Sequence, residues 1–291
     1  MGAFAYVAPT TVAEALGVLE EHASQGKRAQ ILAGGTDLLV QLQSVDRTPR
    51  TIVDIKKLEE ANRVEVGADE TFVGAAVASA VLNENEELKQ SFPGLIEAAD
   101  LIGSTQIQGR ATIAGNLCNA SPAGDTIPAL IAIGAVCVIA TGSGNRELAV
   151  EDFVTGVGTN ALQDGEFLVG LKIPNPPARS ADAYLRFIPR TEMDIAVAGA
   201  GVALTLDDAG TCTAARVAIG AVAPTALLVP AAADALVGTS VDDDTLAAAA
   251  AACSAAASPI TDKRGTVEYR RKVVGVLCKR AAAIARDRAQ A

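Results

Sequence analysis

The sequence predicts an α+β protein of two domains, and three patterns support this class. Short apolar segments with strand character alternate with amphipathic helical segments through the first part of the chain. Pro174, Pro176 and Pro177 then follow within four residues, where neither a central strand nor a helix interior can continue. Two long apolar runs and several alanine-rich helical segments come after them. We therefore predict one domain over residues 1–177 and a second over residues 178–291.

The first 58 residues predict a small lobe that contains a strand-to-helix turn. Thr11 and Glu14 have the spacing of a capping box, and apolar residues recur at helical intervals up to residue 24. Gly34 and Gly35 stand between a short apolar strand candidate and a helical apolar segment, so they mark the turn. The predicted elements of this lobe are a helix over 11–24, strands over 30–33 and 51–55, and a helix over 38–42.

The pattern restarts after residue 58 and predicts a second lobe of the first domain, over residues 59–177. Its predicted strands lie at 63–66, 71–77, 136–140 and 167–173. Its predicted helices lie at 78–88, 95–102 and 127–131. A loop rich in glycine and asparagine is predicted over 109–125, before the last of these helices.

The second domain is predicted to be a sheet backed by helices. Apolar runs over 195–206 and 214–222 flank Asp207-Asp208-Ala209-Gly210, which has the composition of a hairpin turn. Alanine-rich helices are predicted over about 227–237, 245–257 and 266–288. The acidic run at 242–244 is interpreted as an N-terminal charge cluster of the second of these helices.

Composition excludes several classes of function for this 291-residue chain. The net charge is −10 and no long run of Lys and Arg occurs, so nucleic acid is not expected as a partner. The five cysteines never have a CxxC spacing, so they are interpreted as buried thiols, and no metal site is predicted on this chain. No segment approaches about 18 uninterrupted apolar residues. We therefore expect a cytoplasmic protein without membrane insertion.

Two loops contain the residue types that bind a phosphorylated ligand. In the first, Ala33-Gly-Gly-Thr-Asp37, glycines directly after a strand let backbone N–H groups approach an anion such as a pyrophosphate. The alternative is a purely structural tight turn. The second loop spans 111–125 and is dense in small hydrogen-bonding side chains, including Thr112, Asn116, Asn119 and Ser121. Its Asp125 either accepts from ligand hydroxyls or caps the helix that follows.

Together and in this order, the two loops resemble the FAD-binding loops in medium subunits of molybdenum hydroxylases, the xanthine dehydrogenase and carbon monoxide dehydrogenase flavoprotein family. The motifs are Ala33-Gly-Gly-Thr-Asp37, Thr112-Ile-Ala-Gly-Asn116 and Asn119-Ala-Ser-Pro-Ala-Gly-Asp125. The stretch from Asp262 to Leu277 is similar to the ending of the same family. The resemblance implies a two-lobed FAD-binding domain of the vanillyl-alcohol-oxidase-like (PCMH) type. It also implies a C-terminal sheet-and-helix domain of the carbon monoxide dehydrogenase flavoprotein type.

The resemblance also implies which residues contact FAD. Residues 32–37 and 112–116 fall where members of the family bind the diphosphate of FAD. Ile102 and Gly103 fall where the family approaches the flavin or the adenine. Leu168 falls where an apolar residue of the family packs against the cofactor. Arg186 stands where many relatives have a lysine near the flavin ring. The implied cofactor-binding residues are Leu32, Ala33, Gly34, Gly35, Thr36, Asp37, Ile102, Gly103, Thr112, Gly115, Asn116, Ser121, Asp125, Leu168 and Arg186. No catalytic residue is implied.

Three residues depart from the family pattern. Arg186 is a planar multi-donor cation where lysine is a compact point charge. Gln108 stands where relatives often have arginine, and Ala114 replaces the first glycine of a Gly-Gly pair. Alanine is compatible with that position only if the residue needs no positive φ.

Other candidate motifs have ordinary structural interpretations. The segment 156–161 fits the Rossmann pattern GxGxxA, but no N-terminal βαβ unit frames it. His22 is the only histidine and is placed on the polar side of the first helix, so a histidyl-linked flavin is not expected. Glu192 and Asp194 are interpreted as a solvated or ion-paired strand edge beside Arg190.

The resemblance implies that the chain is the electron-transfer subunit of a larger enzyme. A small partner would carry 2Fe-2S clusters and a large partner the molybdenum pterin cofactor, the three subunits forming a dimer of heterotrimers. Electrons from the iron–sulfur clusters would pass through this subunit to an external acceptor. One alternative is a self-contained FAD-dependent oxidase or reductase of the same fold, and another is a nucleotide-binding scaffold without redox activity.

Overall fold

A computed structural model describes residues 4–44 and 48–291 and contains helices packed on three main sheets. The mixed class with helices and sheets is thus as predicted. A parallel sheet forms the first lobe, a larger antiparallel sheet forms the second lobe, and a third sheet belongs to the C-terminal part of the chain.

The first lobe is a three-stranded parallel sheet with one helix on each face. Val53 of the central strand shares a core with Ala15 and Leu19, whereas Ile52, which points to the opposite face, packs against Leu38 and Leu42. The elements are β1 (Phe4–Val7), α1 (Val12–Ser24), β2 (Ala29–Leu32), α2 (Leu38–Ser44) and β3 (Arg50–Asp54), with strand order β1-β3-β2. The turn from β2 to α2 therefore lies at the carboxyl edge of the sheet.

The second lobe is built on a five-stranded antiparallel sheet with order β4-β5-β10-β6-β7. Its first half contains α3 (Glu59–Asn62), β4 (Val64–Val66), β5 (Glu70–Gly74), α4 (Ser79–Asn83), α5 (Glu86–Ser91), α6 (Pro93–Asp100), α7 (Thr105–Gln108) and α8 (Ile113–Cys118). Its second half contains α9 (Thr126–Ala132), β6 (Val136–Thr141), β7 (Gly144–Ala149), α10 (Val150–Phe153), β8 (Val154–Gly156), β9 (Thr159–Asn160) and β10 (Phe167–Pro174).

Two predictions for this lobe are corrected by local capping. The helix predicted over 78–88 is two helices, because the Asn85 side chain accepts hydrogen bonds from the N–H groups of Glu87 and Leu88 and starts α5 anew. The loop predicted over 109–125 contains α8, whose N-cap is Thr112; its hydroxyl accepts from the N–H of Gly115 at 2.8 Å. Strand β7 was not predicted.

The C-terminal part is a four-stranded antiparallel sheet in the order β11-β12-β13-β14, with helices on one face. Its elements are β11 (Ser180–Phe187), β12 (Ala198–Leu206), β13 (Cys212–Gly220), β14 (Leu227–Leu228), α11 (Pro230–Asp234), α12 (Asp243–Ala256) and α13 (Val267–Gln290). The predicted hairpin is confirmed, with the Gly210 N–H donating to the Asp207 carbonyl at 3.0 Å. The acidic run lies at the start of α12 as predicted, with Asp243 and Asp244 in the first turn, and Asp242 in addition is the N-cap. The helix predicted from 227 begins only at Pro230, because Leu227 and Leu228 pair with β13.

The second face of this sheet packs against α6 and α9 of the first domain. Among the described residues, three ion pairs cross the contact, each with its carboxylate from the second lobe and its guanidinium from the C-terminal sheet or α13: Glu97–Arg288, Asp125–Arg186 and Glu151–Arg216. Between them the backbones come close, since a β-carbon at Gly201 of β12 would lie 2.7 Å from the carbonyl oxygen of Pro128 in α9. The second face can therefore pack directly on α9 because Gly201 has no side chain.

This close approach predicts that Gly201→Ala destabilises the protein by about 1–3 kcal/mol, the usual cost of overpacking. The control is Gly17→Ala in α1, where a β-carbon would meet nothing within 4 Å. Because alanine favours helix over glycine, we expect the control to gain about 0.5–1 kcal/mol. Urea unfolding of both variants measures the difference, and equal stability of Gly201→Ala and the unmodified chain would contradict the packing.

Candidate functional site

A cleft of about 510 Å³ opens between the two lobes of the first domain. The loop between β2 and α2 and the start of α8 both line it. Residues 158–168, which include the beginning of β10, close one side. The two loops that the sequence singled out therefore face the same space.

The first loop presents backbone donors to this cleft. Within the described ranges, the N–H groups of Gly34, Gly35, Thr36 and Asp37 donate to no protein acceptor. Gly35 has a φ of +80°, which an L side chain rarely adopts. A β-carbon at Gly34 would lie 2.1 Å from the carbonyl oxygen of Arg110, so only glycine lets this loop touch the chain that leads into α8. Successive unpaired N–H groups of this kind form an anion-binding concavity.

An ion pair between Lys56 and Asp54 links the first loop to the parallel sheet. The Lys56 ammonium group donates to the Ala33 carbonyl at 3.1 Å and to Asp54 Oδ1 at 2.8 Å. The Tyr6 hydroxyl donates to the other Asp54 oxygen at 2.7 Å. Burial alone would raise the pKa of Asp54, but the hydrogen bonds from Lys56 and Tyr6 lower it. Asp54 is therefore ionised at neutral pH and keeps Lys56 against the loop.

The second loop contains the short helix α8, and neighbouring elements hold its side chains by hydrogen bonds. The Asn116 side-chain oxygen accepts from the N–H and the hydroxyl of Thr126, at 3.2 and 2.8 Å. The Asn119 side-chain oxygen accepts from Gln41 of α2 at 3.1 Å, which ties this loop to the first. The amide nitrogen of Asn116 and the backbone N–H of Ala114 have no acceptor in the described part of the chain, and both residues line the cleft.

Asp37 brings a carboxylate to the cleft. Its side chain has no hydrogen-bond donor among residues 4–44 and 48–291, and burial raises its pKa. A carboxylate in this position accepts hydrogen bonds from hydroxyl groups of a bound molecule. The cleft thus combines donors suited to phosphate oxygens with one acceptor suited to hydroxyls.

Asp125 does not line the cleft and is held from the C-terminal sheet. The Tyr184 hydroxyl donates to its Oδ1 at 3.1 Å and Arg186 donates to its Oδ2 at 2.7 Å. Burial raises the pKa of Asp125 to about 6, although the neighbouring Arg186 and Tyr184 both lower it. Asp125 stands at the N-cap position of α9, as the alternative interpretation has it, but its carboxylate makes no capping bond. The N–H of Thr126, the first residue of α9, is accepted instead by Asn116.

The structure brings most of the sequence-predicted residues together. Ten of the fifteen line the cleft: Ala33, Gly34, Gly35, Thr36, Asp37, Ile102, Thr112, Gly115, Asn116 and Leu168. The other five do not line it. Leu32 ends β2, Gly103 is in a turn with φ +59°, and the Ser121 hydroxyl accepts from the Ala123 N–H. Asp125 and Arg186 form the buried ion pair described above.

Sequence reasoning missed one wall of the cleft. Gly158, Asn160 and the segment 163–166 line it, and none of them is among the predicted site residues. The segment 156–161, which fits the Rossmann pattern GxGxxA, lies in the β8–β9 hairpin. The next element is the strand β10 and not a helix, so this segment is not a Rossmann turn. The Asn160 amide donates to the Cys118 carbonyl at 3.0 Å, which joins the hairpin to α8. This contact spans 42 residues and has no local sequence signal.

The remaining candidates lie away from the cleft. His22 bonds through its two ring nitrogens to the Val18 carbonyl and the Thr51 hydroxyl, so its role is structural. Asp194 is ion-paired with Arg190 and Arg264 as expected, but the residues around it are not a strand.

Two further expectations concern metals and membranes. Four cysteines are buried and Cys118, in the cleft wall, is half-buried. Among the described residues no group of three or more His, Cys, Asp or Glu is arranged to hold a metal ion. In the same residues no helix has the length and apolar character needed to cross a membrane.

Comparison with known proteins covers nearly the whole chain. Residues 2–176 match the model of the FAD binding domain in molybdopterin dehydrogenase, and residues 183–285 match that of the CO dehydrogenase flavoprotein C-terminal domain. The carbon monoxide dehydrogenase medium chain of Afipia carboxidovorans is 33% identical over 290 residues, which cover 99% of each chain. The nicotinate dehydrogenase FAD-subunit of Eubacterium barkeri is 33% identical over 238 residues, 81% of this chain and 80% of that one.

Solved structures agree with these sequence matches. Carbon monoxide dehydrogenase from Hydrogenophaga pseudoflava superposes with a TM-score of 0.92 at 31% identity, covering 98% of each chain. Quinoline 2-oxidoreductase from Pseudomonas putida 86 gives a TM-score of 0.90 at 28% identity, covering 99% of each chain. The two matching domain models, the full-length relatives and the shared fold lead to one conclusion: the chain belongs to the family of FAD-binding medium subunits of molybdenum hydroxylases, which are oxidoreductase subunits.

Proposed function

We propose that this chain holds FAD non-covalently in the cleft between its two lobes, with the diphosphate against the two loops. The observation that carries the proposal is the run of N–H groups from Gly34 to Asp37, which have no acceptor in the part of the chain that the structure describes and belong to residues that line the cleft. Phosphate oxygens are strong acceptors, and backbone N–H groups at such turns are suited to them. The cleft volume of about 510 Å³ lies within the range of cofactor and ligand pockets.

Side chains in the cleft suit the rest of such a molecule. Asp37 is placed to accept from ribose or ribityl hydroxyls, and the free amide of Asn116 is placed to donate. Ile102 and Leu168 supply apolar surface for a planar ring. FAD in such a site supplies one-electron and two-electron redox chemistry, while the protein supplies binding and orientation.

We further propose that the chain acts in electron transfer within a larger enzyme. In this assembly a small subunit carries 2Fe-2S clusters and a large subunit carries the molybdenum pterin cofactor, in a dimer of heterotrimers. Electrons enter this subunit from the iron–sulfur partner and leave to an external acceptor. Two observations support the division: full-length relatives are named medium chains, and among the described residues no three or more His, Cys, Asp or Glu are grouped so that they could hold a metal ion.

The proposed domains of the subunit are residues 1–177, with lobes of about 1–58 and 59–177, and residues 178–291. Their hydrophobic cores support this division. Among the described residues, one large core lies in the first range; Tyr184 and Ala218 join it from the second, with a few partly buried residues at its margin. A separate core lies wholly between Ala181 and Ala289.

The FAD site predicts that Gly35→Val removes most of the bound flavin. Valine at φ +80° strains the turn, and its side chain would be forced against Leu32 and Leu39, so the N–H groups lose their alignment. Gly26→Val is the matched control: Gly26 has φ +63° and open space around it, and it does not line the cleft. Both variants should lose about 1–2 kcal/mol of stability from the positive φ.

Flavin content after purification distinguishes the two variants. We expect the control to retain FAD and Gly35→Val to retain little. Equal retention in both variants, with both folded, would remove the first loop from the site.

The subunit role predicts that the purified chain holds FAD but turns over no organic substrate alone. Co-expression with the two proposed partners should yield a complex containing iron and molybdenum in which substrate reduces the flavin. Stopped-flow absorbance of the flavin, with and without the partners, measures this. Turnover of an organic substrate by the single chain with only FAD would contradict the subunit role and favour the self-contained oxidase.

A further inference from the structure

We infer that Tyr184 is a positioning residue for the FAD site: through Asp125 and the start of α9 it holds Asn116 in the wall of the cleft. The inference rests on the proposed FAD site. Tyr184 belongs to the C-terminal sheet and does not itself line the cleft. Its effect on the cofactor would therefore be transmitted through neighbouring residues.

Tyr184 supplies one of the two hydrogen bonds that fix Asp125. Its hydroxyl donates to Asp125 Oδ1 at 3.1 Å, and Arg186, two residues along the same strand, donates to Oδ2 at 2.7 Å. Burial raises the pKa of Tyr184, so its hydroxyl keeps the proton that it donates. With both oxygens engaged, the Asp125 side chain has one defined orientation.

The neighbouring strand is shaped to receive the Tyr184 hydroxyl. A β-carbon at Gly199 of β12 would lie 2.6 Å from the hydroxyl oxygen and 3.3 Å from the ring carbon that bears it. Any other residue at Gly199 would therefore displace the hydroxyl. The position of the donor is set by the sheet and not by the tyrosine alone.

Asp125 is joined directly to the residue that holds Asn116. Its carboxylate makes no bond to its own helix, whereas the next residue, Thr126, gives both its N–H and its hydroxyl to Asn116 Oδ1. Asn116 thereby caps α9 from the neighbouring helix α8, and its amide nitrogen is left for the cleft. Release of Asp125 frees the start of α9 and weakens both bonds to Asn116.

The contact between the domains does not depend on this hydroxyl. The ion pairs Glu97–Arg288 and Glu151–Arg216 hold the C-terminal sheet against the first domain at other points. Loss of the Tyr184 hydroxyl should therefore leave the domains docked and act mainly on the second loop.

The first test compares Tyr184→Phe with Tyr269→Phe in the full chain. Tyr269 lies in the same domain, is 42% exposed and does not line the cleft. Titration of the flavin-free protein with FAD, followed by quenching of flavin fluorescence, gives Kd. A hydrogen bond to a charged group is worth about tenfold to a hundredfold in affinity, and because Arg186 remains we expect Tyr184→Phe to weaken FAD about threefold to tenfold. Tyr269→Phe should change Kd less than about twofold.

A double-mutant cycle with Asn116→Ala separates positioning from a general loss of structure. If Tyr184 acts through Asn116, then Tyr184→Phe should change Kd less than about twofold once Asn116 is alanine. The same fold-change in both backgrounds, or an unaltered Kd for Tyr184→Phe alone, would overturn the inference. An unmodified chain that binds no FAD would instead contradict the proposed function.

Gly199→Ala provides a second variant that keeps the tyrosine. The added β-carbon pushes the hydroxyl away from Asp125, so FAD affinity should fall in the same direction as for Tyr184→Phe. A folded Gly199→Ala chain that binds FAD as tightly as the unmodified chain would contradict the inference even where Tyr184→Phe fails to fold.

Discussion

The structure depends on one close approach of two backbones, between Gly34 and the carbonyl group of Arg110. This contact brings the turn after β2 against the chain that leads into α8, and so joins a parallel lobe to an antiparallel lobe. The N–H groups from Gly34 to Asp37 have no acceptor among the described residues, and the chain turns through positive φ at Gly35. Successive backbone N–H groups without a protein acceptor at such a turn form a concavity suited to an anionic ligand.

Each surrounding element restrains this arrangement from a different side. Lys56 and Asp54 hold the first loop to the sheet, and Gln41 of α2 reaches across to Asn119. On the far side, the C-terminal sheet packs closely on α9 and fixes Asp125 through Tyr184 and Arg186. The C-terminal part of the chain therefore contacts elements next to the cleft, although the residues that line the cleft all lie between Leu19 and Leu168.

Local patterns predicted the parts of the structure that are locally determined. The strand, Gly-Gly turn and helix over residues 29–44 follow from apolar segments around two glycines, and the β12–β13 hairpin follows from the composition of its turn. The roles of Asp125 and Asn116 were not predictable in this way. Asp125 precedes a helix and has the residue type of a cap, but tertiary donors on β11 take its carboxylate, and Asn116, ten residues earlier, supplies the cap. Helix α8 was not predicted, because its segment is rich in turn-forming residues and the local feature that indicates a helix there is the Thr112 cap.

The most direct measurement is a crystal structure of the chain with FAD bound. Because the essential donors are backbone N–H groups, they cannot be removed one at a time by substitution, and their distances to the ligand are the decisive quantity. The structure predicts diphosphate oxygens within about 2.7–3.2 Å of the nitrogen atoms in the 34–37 loop, with the start of α8 on the opposite side. A diphosphate bound elsewhere, with these N–H groups paired to protein or left to water, would contradict the account.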